Sequence, residues 1–96
     1  MEGSWALGVA LAHVRNAAAA FVAAEDPSGE SLFLAAECLE LEGLFAELGV
    51  VPEVVDPGLD GFGSLEAAHV ALAAARTVVP APVWDALQAL RARAAR

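Results

Sequence analysis

The sequence predicts an all-α fold: an antiparallel up-and-down four-helix bundle, built as two helical hairpins joined by a long loop over residues 49–63. Three observations predict it. Apolar residues recur at steps of three and four through four separate segments, Pro and Gly fall between those segments, and alanine, the strongest helix former, supplies 24 of the 96 residues. With 58% hydrophobic and 19% charged residues, the chain is too apolar to remain disordered and too short to divide, so residues 1–96 form one domain. The chain lacks Lys, Ile and Tyr and uses Ala freely, as expected of a GC-rich genome, so alanine content alone says little about packing.

The first helix is expected over about residues 4–24, because Leu7, Leu11, Val14, Ala18 and Phe21 stay on one stripe. Asp26-Pro27-Ser28-Gly29 ends it and offers Asp26 or Ser28 as the cap of a second helix over 28–48. That helix has the seam Leu34, Cys38, Leu41, Phe45 and Leu48, with Gly49 placed for a left-handed C-terminal residue and Pro52 preventing continuation. Residues 49–63 then form the longest loop, anchored by Val50, Val51, Val54 and Val55; loops of this length are functional sites or packed crossovers. Ser64 is expected to cap a third helix over 64–79, carrying Leu65, Ala68, Leu72, Ala75 and Val79 opposite a polar stripe of Glu66, His69, Arg76 and Thr77. Pro80 stops it, and Pro82 opens a fourth helix over 82–95 whose apolar face is Val83, Ala86, Leu87, Leu90 and Ala94.

Charge excludes some functions. Thirteen acids against five arginines leave a formal net charge of −8, which repels phosphate backbones and anionic membrane surfaces and argues against nucleic-acid binding. The balance is uneven: residues 1–75 hold twelve acids and Arg15, or −11, while 76–96 hold four arginines and Asp85, or +3. Pairing between the C-terminal arginines and the acidic middle is therefore expected, within the chain or between copies. Cys38 is the only cysteine, so an internal disulfide is impossible and a reducing, cytoplasmic setting suits the chain. The apolar stretch from Trp5 to Ala24 approaches a membrane span in length, but His13, Arg15 and Asn16 lie at its centre, and Glu2 rather than a basic segment precedes it.

The candidate functional residues follow from faces rather than motifs. The first helix is apolar on a second side, through Trp5, Val9, Ala12, Ala19 and Ala23, broken only by Asn16. The second repeats this with Leu32, Ala36, Leu39, Gly43 and Ala46. A bundle needs one apolar face per helix, so the second faces must meet loops, a partner or another copy; compositional drift toward alanine is the bland alternative. The expected interface is Trp5, Val9, Ala12, Asn16, Leu32, Ala36, Leu39, Gly43 and Trp84, the tryptophans serving as anchors or as caps on the core. A homodimer acting as a non-enzymatic interaction or regulatory module is the expected state.

Two other functions compete. Glu37, Glu40, His13 and His69 could form a metal- or small-ligand-binding bundle, although no Glu-x-x-His pair is present and a solvated acidic stripe explains the same residues. Segment Leu59-Asp60-Gly61-Phe62-Gly63-Ser64-Leu65-Glu66 resembles the attachment segment of acyl and peptidyl carrier proteins, which are also small, acidic and helical. That resemblance implies a phosphopantetheine arm on Ser64, with Leu65 completing the Ser-Leu pair; Gly63 stands where that family has aspartate. A plain N-cap is the competing role for Ser64.

Overall fold

The computed structural model describes residues 2–95, which form four α-helices: α1 (Glu2–Ala23), α2 (Glu30–Glu47), α3 (Gly61–Ala74) and α4 (Ala81–Ala94), with a 3₁₀ turn at Arg76–Val78. The predicted four-helix bundle is what forms. Around it the neighbours are α1–α2, α2–α4, α4–α3 and α3–α1, the last pair sharing the most extensive interface. Glu66 and His69 of α3 and Arg76 of the following 3₁₀ turn meet Arg91, Gln88 and Trp84 of α4 in reverse order, so these two helices lie side by side as expected.

The predicted stripes supply the core. Leu11, Val14, Ala18 and Phe21 of α1, Leu34, Cys38, Leu41 and Phe45 of α2, Leu65, Ala68 and Leu72 of α3 and Val83, Leu87 and Leu90 of α4 are buried together. Leu48, assigned to the second seam, is exposed instead because α2 has ended at Glu47. The termination itself is as read: Gly49 adopts φ +72°, its N–H bonds Ala46 O at 3.0 Å, and Val50 N–H bonds Phe45 O at 3.2 Å. This arrangement satisfies carbonyls that the helix end would leave unpaired.

Helix starts required two corrections. α2 begins at Glu30 after Gly29, whose φ of +79° only glycine holds without strain. Asp26 still serves this start, accepting from Ser28 N and Ser31 N at 3.0 and 2.8 Å, while Ser28 Oγ accepts from Glu30 N at 3.2 Å. The Ser28 hydroxyl, which donates to Asp26 Oδ1 at 2.7 Å, together with the backbone N–H groups of Ser31 and Ser28, pulls the Asp26 carboxyl down to about 2. α3 begins three residues earlier than predicted, because Asp60 rather than Ser64 is its N-cap: Asp60 Oδ1 accepts from Gly63 N at 2.6 Å. Ser64 therefore falls on the fourth helical residue, turned inward. At its other end α3 stops at Ala74, and the remaining residues to Val78 tighten into the 3₁₀ turn before Pro80.

The segment between α2 and α3 crosses the back of α1. Glu53 N–H donates to Gly8 O at 3.1 Å, and a β-carbon at Gly8 would stand 2.7 Å from Val51 O, so the crossing needs glycine there. Of the four valines expected to anchor this segment, Val50 packs against the core and Val55 is half-buried, whereas Val51 and Val54 face outward. At the opposite end of α1, a β-carbon at Gly61 would lie 2.4 Å from the Phe21 ring, so glycine lets α3 start hard against α1. Phe62 meets the same ring edge-on, centroids 5.6 Å apart.

Candidate functional site

The two second faces predicted on α1 and α2 have different fates. On α1, Gly8 and Ala12 are buried, Ala12 at 6% exposure, and Ala12, Asn16 and Ala19 share a cleft with Pro52, Glu53, Val54 and Val55 of the crossing segment. Ala12 is thus removed from the expected interface: the chain's own crossover occupies that place. Val9 and Asn16 are half-buried, while Trp5 is 62% exposed at the rim of an open cleft lined by Leu48, Val51, Val78 and Pro80. α1 is long and apolar enough to cross a membrane, but half of the window Ser4–Ala23 is buried inside the fold, giving its apolar side chains protein partners.

On α2 the second face is bare. Leu32 and Leu39 are 62% and 60% exposed, and Ala36, Gly43 and Ala46 between and beyond them are exposed as well. Positions 32, 36, 39, 43 and 46 step by four and three, the spacing of a seam that packs against another helix. The small residues at 36, 43 and 46 let a second helix approach closely. Beside Leu39, a shallow groove of about 380 Å³ runs between α2 and α1, floored by Ala18, Ala19, Val22, Ala23 and Ala35. Phe33 is also exposed on the α4 side, where the Arg93 guanidinium lies 5.4 Å from its ring centre.

The charges around this stripe are specific. Glu42 stands on the α1 side, 3.7 Å from Arg15; partial burial raises its carboxyl above the usual range, and the attraction of Arg15 offsets this only in part. Glu37, on the α4 side, forms an ion pair with Arg93. Glu40 and Glu47 have no cationic partner among the described residues, and α2 carries no base along its length.

Trp84, the other expected anchor, is half-buried and engaged inside the chain. Arg76 stacks 4.3 Å from its ring centre and His69 5.3 Å, and the side chain packs on the core. Around it runs a connected polar network. Arg91 grips Glu66 through two hydrogen bonds of 2.8 and 2.9 Å and donates to Gln88 Oε1 at 2.6 Å. Because guanidinium only donates, the Gln88 amide must turn its NH₂ toward His69 Nδ1, 3.0 Å away, leaving that nitrogen as acceptor. The C-terminal arginines thus pair with the acidic helices inside the chain, Arg91 with α3 and Arg93 with α2.

The residues read as candidates for chemistry lie in the packing. Ser64 is 1% exposed and its hydroxyl has no hydrogen-bond partner, so an arm on Oγ would have to emerge through the core. Cys38 is wholly buried, and burial, with the nearby Glu42 charge, pushes its thiol up to about 12. His13 is half-buried with Nδ1 unpartnered, and desolvation lowers its pKa. Among the described residues no three His, Cys, Asp or Glu side chains converge as a metal site would require. No protein-family model, curated protein or solved structure matches the chain.

Proposed function

We infer that this protein is a small, acidic, non-catalytic interaction module whose docking surface is the outer face of α2. The observation that carries the reading is the exposure of Leu32 and Leu39 on a helix whose opposite side is already packed into the core. An apolar seam left in water along a helix lowers its free energy by burial against another surface. The side chains able to begin chemistry support the same reading, since Cys38 and Ser64 are enclosed and His69 is tied to Gln88. A fully buried, sole cysteine also fits a reducing compartment such as the cytoplasm.

A site-specific photocrosslinker at position 39 tests the docking surface against one at Val70, which is equally exposed but lies on α3. Crosslinks from position 39, and none from position 70, are expected in cells that produce the protein. Equal capture from both positions, or capture from neither, defeats the reading. A homodimer, the other occupant expected from sequence, would appear as a crosslinked product of twice the chain mass.

A further inference from the structure

We propose that the outer face of α2 receives an amphipathic helix whose flanks carry Lys or Arg. This rests on the docking reading above and deepens it, by naming the chemistry of the occupant. The seam 32-36-39-43-46 places Glu40 and Glu47 along one flank and Glu42 along the other. In helix pairs, residues at these flanking positions face the flanks of the partner and decide which partner is accepted.

The charged groups facing the stripe from every packed element favour a basic occupant. From α1 comes Arg15, engaged with Glu42; from α4 comes Arg93, engaged with Glu37. What remains without a cation among the described residues is Glu40 and Glu47, separated by seven residues and so repeated on one line of the helix. A second copy of this chain is disfavoured on the same ground. With no base on α2, either orientation of two such helices sets glutamate against glutamate along both flanks. A helix bearing cations there would instead meet carboxylates already in place, and leucine-sized side chains on it would fill the spaces over Ala36 and Gly43. The groove beside Leu39, lined by alanines and Val22 together with the Arg15–Glu42 pair, extends the apolar contact toward α1.

The test uses the intact protein and two synthetic helical peptides, identical in a leucine seam, one with Lys and one with Glu at the flanking positions. The Lys peptide is expected to bind about tenfold tighter or more, with affinity falling as salt rises. Leu39→Gln should weaken it about tenfold, and Glu40→Gln with Glu47→Gln should weaken the Lys peptide alone; both variants must keep the wild-type circular dichroism melt. Equal binding of both peptides through Leu39 would overturn the charge selection while leaving the docking face standing. Binding of the Lys peptide that survives Leu39→Gln would reduce the effect to general attraction to an acidic protein and sink the proposal. Binding of neither peptide also overturns it, as does a sedimenting dimer that Leu39→Gln dissolves, since a second copy would then cover the face.

Discussion

α1 and α2 read almost alike in sequence, each apolar on two opposite sides, yet the fold treats them oppositely. α1 packs against α3 and α2 and carries the crossing segment on its back, so Gly8, Ala12, Val14 and Ala17 are all buried though they point in different directions. α2 touches α1 and α4 and nothing else extensive, so its outer leucines meet water. Apolarity all round a helix therefore has two physical causes in this one chain. It marks the central element of a core in one case and an unfilled contact in the other.

Substituting the same charge on each second face separates these causes, with the larger effect on α1. Ala12→Glu must displace the crossing segment or bury a carboxylate beside Glu53, and is expected to cost about 2–4 kcal/mol of stability, read as a lower urea midpoint. A melt unchanged from wild type would mean that the crossover does not close over α1. Gly61→Ala strikes α1 from its other end, forcing a methyl into the buried Phe21 ring; about 1–3 kcal/mol is expected from overpacking, despite alanine's better helix propensity. A stabilised Gly61→Ala would show that α3 can shift away from Phe21 without loss.

Much of this arrangement was legible in the chain. Spacing alone assigned nearly every core residue, and Gly49 and Asp26 announced the helix ends they serve. The start of α3 was misread because Gly61 and Gly63 argue against helix by propensity, and Ser64 offered itself as a cap. Asp60, a strong N-cap three residues before Gly63, was the signal for the true start, and the Phe21 ring explains why glycine follows it. The crossover's path was hidden because it depends on backbone meeting backbone at Gly8 and Glu53. Its trace in sequence is the pair of small residues one turn apart, Gly8 and Ala12, which on α2 has the look-alike Gly43 and Ala46, exposed. Nothing local distinguishes the two pairs; only the direction of the loop does.

A titration sharpens the contrast further. Desolvation on α1 lowers the His13 pKa from 6.5, so the folded protein resists a proton that the unfolded chain accepts. As pH falls through about 6.5, the unfolded state binds more protons and stability declines; as pH rises above that value, the His13 contribution is complete. His13→Gln should flatten the stability profile between about pH 5 and 7, measured by urea unfolding. A wild-type profile that rises as pH falls through this window would mean that His13 gains a partner for its charged form. The Glu42 carboxyl, raised by partial burial on α2, acts with the opposite sign at lower pH, favouring the folded state as it takes up a proton between its unfolded and folded values.

The smallest expected effect is the most telling. Ala36→Glu places a carboxylate at the centre of the bare stripe, one helical turn from Glu40, where it meets solvent and not packing. Mild repulsion from Glu40 and a modest propensity loss should keep the change within about 0.5 kcal/mol. Comparing its unfolding midpoint with that of Ala12→Glu turns two residues of equal size and similar sequence setting into a map of which second face the fold consumes. A large loss at Ala36 would place α2's outer face inside the packed structure and remove the docking surface. A neutral Ala36→Glu that also abolishes crosslinking from position 39 would show the stripe spending its apolar surface on a partner and not on the stability of the chain that carries it.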